Sequence, residues 1–261
     1  MKRIEVDEQT FQKFVSNRRE ADDSLALGRL MRTADKVRKQ EESRIALVIL
    51  EDHWFSFKEK PGQASNAPFL EGVCRMVDNL RSYRLNFYDA NSLGHALDAA
   101  STVPENRVIL YVGAHGSQCR IGAANATNLM KKIAEFSRGT KKIEGILLSS
   151  CLAAAHDPSM LEAMKGGTNW LFGYQSSVDF LGSVQVEAAI LRKVSALSAE
   201  DVEDEDKVIE AVAEALKCFN PDWEIGSEPR ETLAQSIRLV TRGKHIKNPS
   251  DSTSDVIRKA W

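Results

Sequence analysis

Apolar residues in this chain fall into short unbroken runs separated by stretches with helical spacing. Arg44–Leu50 (RIALVIL), Arg107–Val112 (RVILYV) and Ile143–Leu148 (IEGILL) are runs of this kind. Four to eight apolar residues, many of them β-branched, is the pattern of a strand buried on both faces. Arg84–Tyr88 and Asn169–Tyr174 (NWLFGY) predict two further strands. Between them, Phe69–Tyr83, the stretch LGHALDAAST with Asn91 able to cap it, residues 127–137 and residues 158–165 carry helical periodicity. Strands alternating with helices predict an α/β fold. Its core is a doubly wound, mostly parallel sheet flanked by helices and built from right-handed crossovers.

The flanks read differently. Residues 1–43 are strongly charged, and Ile4, Val6, Phe11, Phe14, Leu25, Leu27, Leu30 and Met31 fall at partly helical spacing, predicting a helical N-terminal extension. Phe55–Pro68, with Pro61, Gly62 and Pro68, reads as a loop. Downstream, Leu181–Ala196 and Lys207–Phe219 are predicted helices separated by the acidic stretch AEDVEDED at 199–206. The last segment holds one predicted helix, Glu231–Val240, and a polar KNPSDSTSD tract. The expected organisation is an extension over 1–43, an α/β domain over 44–220 and a helical C-terminal extension over 221–261.

Composition narrows the function. The formal net charge is −2, so no global bias draws the chain to nucleic acid or to an anionic membrane. The charged N-terminus has no apolar core of a secretory signal, and no apolar run approaches the roughly 20 residues that cross a bilayer. A cytoplasmic location is expected. Cysteines 74, 119, 151 and 218 form no C-x-x-C pair and no zinc-spaced cluster with histidine, so neither a disulfide framework, a metal nor another cofactor is expected.

Two of the strongest strands end in reactive residues. One leads into Gly113-Ala114-His115-Gly116 and the other into Ser149-Ser150-Cys151, with one predicted helix between them. In doubly wound sheets, ligands and reactive groups collect at the carboxyl ends of the strands. If the two strands are neighbours, about 4.8 Å apart, imidazole and thiol share one cleft. A thiol with a reference pKa near about 8.5 is mostly protonated at neutral pH. A nearby imidazole raises the thiolate fraction, and it can later protonate the amine that leaves after thiolate attack on a peptide carbonyl. Gly116, lacking a Cβ, lets its N–H approach the carbonyl oxygen, and the Cys151 N–H supplies a second oxyanion donor.

The two blocks, VILYVGAHG and GILLSSC, resemble those of the caspase-like cysteine peptidases, which include caspases, metacaspases, separases, legumain and the bacterial CHAT domains. The resemblance covers roughly residues 44–195. The run LAAAHDPSMLEAMKGGTNWLFGYQSSVDFLGSVQVEAAIL is similar in layout to CHAT domains. Caspases have Gln-Ala where this chain has Ser149-Ser150, and the short interval between His115 and Cys151 leaves little room for long caspase loops. The layout is therefore nearer to CHAT proteases.

The resemblance implies a cysteine endopeptidase, with His115 as acid and base, Cys151 as nucleophile and Gly116 in the oxyanion hole. It also implies a protein substrate, a regulatory or activating partner, and a role in bacterial defence or programmed cell death. It places the pocket for the side chain before the cut at Asp52–Trp54, Ser149 and Gln175–Asp179. A buried carboxylate there, Asp52 or Asp179, favours Arg or Lys in the substrate.

Each of these residues has a plainer reading too. Cys74 and Cys218 are expected as core thiols and Cys119 as an incidental exposed one. His53, His95 and His245 are expected as surface or capping residues, while His156 is a second candidate base. Asp179 is equally suited to capping the helix that begins near Phe180. The acidic stretch 199–206 is either a solvated loop or a processing site. Two other classes compete: a caspase-like scaffold whose dyad is vestigial, and a flavodoxin-like or receiver-like domain suggested by Glu51-Asp52. The last lacks a matching Lys-bearing strand end.

Overall fold

The computed structural model describes residues 44–52, 65–117, 119–139, 143–226, 230–244 and 248–261. The predicted N-terminal extension, most of the predicted 55–68 loop, His53, Trp54 and His245 lie outside them.

Four strands are buried along their whole length: β1 (Ile45–Glu51), β3 (Arg107–Gly113), β7 (Ile143–Ser149) and β8 (Trp170–Tyr174). They lie side by side in a seven-stranded sheet ordered β10 (Ser250–Asp251), β9 (Ile237–Thr241), β8, β7, β3, β1, β2 (Leu80–Asn86), in which the pairs β2–β1, β1–β3, β3–β7 and β7–β8 are parallel. Alternate side chains leave the sheet on opposite faces. Ile45, Leu47, Ile49, Ile109, Leu147 and Phe172 pack with helices α1 (Ala67–Met76), α5 (Phe180–Val194), α6 (Glu205–Leu216) and α8 (Thr253–Ala260). Val48, Leu50, Leu110, Val112, Ile146 and Leu148 pack with α2 (Ala90–Ala100), α3 (Ala126–Gly139) and α4 (Asp157–Met164). The fold is thus the α/β class expected, a mostly parallel sheet covered on both faces.

Three elements differ from expectation. The helix predicted to run to Tyr83 stops at Met76, and β2 (Leu80–Asn86) begins four residues earlier than predicted. Pairing of Leu80–Asn86 with Ile45–Glu51 overrides its weak helical spacing. As an edge strand it is only partly covered, so its polar side chains hid where it begins. At the other edge, the predicted helix 231–240 is a single turn, α7 (Leu233–Ser236), followed by β9 (Ile237–Thr241). The Thr232–Gln235 capping box closes that turn, and the β-branched IRLVT then pairs antiparallel with β8, with β10 (Ser250–Asp251) beyond it. Residues 221–261 are therefore not a helical extension outside the domain, because they complete its sheet. Helix α2 is capped by Asp89, whose Oδ1 accepts from the amides of Asn91 and Ser92, rather than by Asn91.

At the amino end of β3, Arg107 Nε donates to Glu144 Oε1 of β7 at 2.6 Å, and its Nη2 donates to Leu197 O at 2.9 Å. Both side chains are almost fully buried. Removing one partner of such a pair strands the other charge in the interior. Replacing Glu144 by Gln is expected to destabilise the fold by about 3–5 kcal/mol, measured as a lower urea midpoint at unchanged slope.

Candidate active site

β3 and β7 run parallel with Gly113 opposite Ser149, and the Ala114 amide donates to Ser149 O at 3.2 Å. The two strands therefore end level. His115 is two residues beyond Gly113, and Cys151 is two residues beyond Ser149. Neighbouring strands lie about 4.8 Å apart, so these two backbones leave the sheet side by side. Each then turns away. The chain after His115 forms a small antiparallel sheet of β4 (Gly116–Ser117), β5 (Arg120–Ile121) and β6 (Ala124–Asn125). The Gly122 amide closes it by donating to His115 O at 2.7 Å. After Cys151 the chain enters a 3-10 turn, Ala153–Ala155, through Leu152 at φ 60°.

Gly116 lies against the cysteine. A Cβ added there would stand 2.7 Å from Cys151 N and collide with Cys151 O and Ser150 Oγ. Only glycine permits this approach. Among the described residues, Ser150 Oγ is buried without a hydrogen-bond partner. The Cys151 side chain is half-buried, and its sulfur meets the loop after β8. Val178 N–H donates to Sγ at 3.4 Å, and Val178 O lies 3.8 Å away. His115 itself is exposed. An exposed histidine and a half-buried thiol at level strand ends, with glycine and cysteine backbone together at the same point, supply the residue types for thiolate chemistry on a carbonyl group.

The three residues expected to line a specificity pocket separate. Asp52 sits beside the His115 hairpin: its amide donates to Gly113 O at 2.9 Å, and its carboxylate packs on Gly122, where a Cβ would collide with Oδ2. Gly122 has φ +59°, so it is glycine for its conformation as well. Asp179 caps α5, its Oδ1 accepting from Gly182 N at 2.7 Å. Ser149 is 3% exposed and points into the interior rather than into an open cleft. Asp52 and Ser149 thus approach the paired strand ends, whereas Asp179 is committed to its helix.

The remaining candidates have other partners or surroundings. His156 Nδ1 is 2.6 Å from Ser159 Oγ at the start of α4, and His95 is exposed on α2. Cys74 is a core thiol, and burial, with Glu71 adding to it, pushes its pKa up to about 11. Cys218, expected in the core, is instead exposed, with Sγ 3.1 Å from Ala215 O. It follows the last turn of α6, two positions past the buried stripe that ends at Leu216. Cys119 is exposed in the hairpin. Among the described residues there is no His, Cys, Asp and Glu cluster able to hold a metal, and no helix long and apolar enough to cross a membrane.

Sequence reading missed an acid directly beneath the site. Glu187 of α5 is 1% exposed, and neither carboxyl oxygen has a well-aligned hydrogen bond among the described residues. Burial pushes its pKa up to about 8. The hydroxyls of Ser149, Tyr111 and Tyr174 favour the charged form without offsetting burial, and Glu51 disfavours it. Tyr111 in turn accepts from Asn66 Nδ2 at 2.6 Å, and the Asn66 amide donates to Glu51 Oε1 at 2.8 Å. One signal was present: Glu187 falls on the apolar stripe Val184, Ile190 and Leu191, where a charge is out of place.

The solved structures similar to the chain include two cysteine peptidases. One is a secreted C11 cysteine protease, iotapain, from Bacteroides thetaiotaomicron, with a TM-score of 0.48 and 12% identity over 76% of this chain. The chain spans 66% of that protein's length. The other is caspase-1 from Spodoptera frugiperda, with a TM-score of 0.47 and 12% identity over 78% of this chain and 88% of that one. No protein-family model and no curated protein sequence matches the chain.

Glu187 makes stability depend on pH. Its folded pKa of about 8 lies above the ordinary 4.5, so the folded chain keeps a proton that the unfolded chain gives up. The stabilisation is complete below about pH 4.5, declines by up to about 1.4 kcal/mol per pH unit as pH rises, and is gone above about pH 8. Urea unfolding at about pH 5.5 and about pH 7.5 is expected to show this loss in the wild type and a smaller one in Glu187→Gln.

Proposed function

We propose that the chain is a cysteine endopeptidase of the caspase-like kind, with Cys151 as nucleophile and His115 as general acid and base. The observation that supports this is the level ending of β3 and β7, two residues before His115 and Cys151, with Gly116 against the Cys151 backbone. In the proposed reaction, His115 takes the thiol proton and Cys151 Sγ attacks the scissile carbonyl carbon. The negative charge on the carbonyl oxygen is held by the amides of Gly116 and Cys151. Collapse breaks the C–N bond, the amine leaves with the proton carried by His115, and an acyl-enzyme remains. A water deprotonated by His115 attacks the thioester, releasing the acid and regenerating the thiol. No metal or redox partner enters these steps.

For the pocket that receives the side chain before the cut, Asp52 is the carboxylate retained in the proposal. It packs on the Gly122 turn that hydrogen-bonds His115 O. A carboxylate at this place favours Arg or Lys. A role in bacterial defence or programmed death, with a protein substrate and an activating partner, belongs to the same proposal and rests on the sequence resemblance; a cytoplasmic location is proposed with it from the shortness of the apolar runs.

A regulated or non-catalytic form is favoured by one observation. The Cys151 sulfur is already engaged by the Val178 backbone, and Val178 is bridged to Gly226 while Asp179 N donates to Ile225 O at 2.9 Å. Alkylation by iodoacetamide separates the two readings. A working nucleophile reacts near neutral pH faster than exposed Cys119 and Cys218, whereas a relic does not.

A peptide library digested by the wild type, Cys151→Ala and His115→Ala tests the activity. Cys151→Ala is expected to lower kcat/KM at least about 1000-fold, and His115→Ala at least about 100-fold. Cleavage by both variants at the wild-type rate would sink the proposal. Asp52→Asn is expected to lower kcat/KM for substrates with Arg or Lys before the cut by about 10- to 100-fold, with less change for neutral residues. The readout is the cleavage profile across the same library.

A further inference from the structure

The turn that follows Cys151 is held by a side chain from the opposite end of the sequence. Leu152 has φ 60°, and it is the one non-glycine residue with positive φ among those described. L side chains rarely adopt this conformation, and it persists only where the surroundings impose it. Two backbone contacts contribute: the Leu152 amide donates to Ser176 O at 3.0 Å, and the Ala153 amide reaches Ser150 O at 3.4 Å. The rest of the turn is seated on a cross-strand pair of the sheet, Gly173 of β8 opposite Arg238 of β9.

Each member of that pair does a different thing for the turn. Gly173 leaves room, since a Cβ there would stand 3.1 Å from the Ala154 Cβ and 3.2 Å from the Leu148 Cβ. Arg238 supplies the bond: its Nη1 donates to Ala154 O at 2.8 Å. The guanidinium is itself fixed on two sides, by Asp157 Oδ1 at 2.6 Å from Nη1 and by Asp251 Oδ2 at 2.9 Å from Nε. It is 14% exposed, while the two carboxylates are 68% and 47% exposed. Were charge pairing its whole role, the group would need no contact with a buried backbone carbonyl three residues from the candidate nucleophile. A planar fork can serve the carbonyl and both carboxylates at once, and a lysine ammonium cannot match that geometry.

We propose that Arg238 is a positioning residue: it locks the Cys151–Ala155 turn onto the sheet and so sets the direction of the Cys151 amide and sulfur. The proposal rests on the peptidase reading for its catalytic consequence, though its effect on Cys151 does not. It also gives β9 a part in the site, because the strand that brings Arg238 to the turn lies far from both His115 and Cys151 in sequence.

The test uses the full chain with Arg238→Lys, Arg238→Gln and Arg238→Ala, and with Asp157→Asn as a variant that keeps the bond to Ala154 O. Thermal melting establishes which variants are folded at the assay temperature. Iodoacetamide labelling, resolved by peptide mass mapping from about pH 6 to about pH 9, gives the alkylation rate and pH midpoint of Cys151, with Cys119 as internal reference. Where a cleaved peptide has been found, kcat and KM are measured on it.

Arg238→Ala and Arg238→Gln are expected to lower kcat by about 10- to 100-fold with little change in KM. They should also shift the rate and pH midpoint of Cys151 alkylation while leaving Cys119 unchanged. Arg238→Lys recovers part of both, and Asp157→Asn stays near the wild type. If Arg238→Ala does not fold, Arg238→Gln and Arg238→Lys decide. A folded Arg238→Gln with wild-type Cys151 alkylation and wild-type kcat would overturn the proposal. So would a loss in kcat that disappears on cooling to where the variant is fully folded. Should the wild type cleave no peptide, the peptidase reading fails by itself and the alkylation profile still decides the role of Arg238.

Discussion

The parallel register between β3 and β7 is the constraint on which the rest of this molecule depends. Successive residues of a strand face opposite sides, so a slip of one residue would turn Tyr111 and Leu147 out of one core and Leu110 and Leu148 out of the other. Burial on both faces therefore specifies the register strongly. The Arg107–Glu144 pair at the amino end of the strands pins it again, next to the shift in pairing between Val108 and Ile109. With Gly113 opposite Ser149, the reactive residues two positions beyond must emerge level. The juxtaposition of His115 and Cys151 backbones thus follows from core packing.

The carboxyl end of the sheet carries features that a fold optimised only for stability would avoid. Glu187 is buried without well-aligned partners, Ser150 Oγ is unpaired, and Leu152 sits in a left-handed conformation. Each costs stability, by about 1–3 kcal/mol for a strained residue or an unsatisfied buried polar group. They cluster in the residues flanking Cys151 or beneath Ser149. The apolar strands and flanking helices hold them in place, since rigid surroundings are what let a strained turn persist. Gly116, which admits the backbone of Cys151, is the counterpart on the neighbouring strand end.

Legibility in the sequence followed burial. β1, β3, β7 and β8 were readable as continuous apolar runs because helices cover both faces of each. The edge strands were less so, β2 only from Arg84 onward and β9 not at all. β2 exposes Arg81, Arg84 and Asn86 to varying degrees, and Ile237–Thr241 lies within a stretch whose periodicity also suited a helix. Edge strands acquire their identity from pairing, a non-local event that local pattern does not record. Within the candidate site, His115, Gly116 and Cys151 could be marked because each lies at or just beyond the end of a readable strand. Ser149 could not be told from a pocket residue, since facing α5 or facing solvent depends on which way the sheet turns at its end.

The sequence by itself determined the strand and helix alternation, the parallel core, and the two strand ends that bear a histidine and a cysteine. These are properties of local composition, for which a few residues of pattern suffice. Only the tertiary structure decided that these ends are adjacent and level, that Asp52 reaches the Gly122 turn, and that Asp179 serves its helix. It alone brought Glu187 beneath Ser149 and Arg238 to the carbonyl of Ala154, across 84 residues of chain. Such contacts join residues far apart in sequence through the packing of whole elements, and no local pattern of apolar and polar residues encodes which distant side chain will fill a given place.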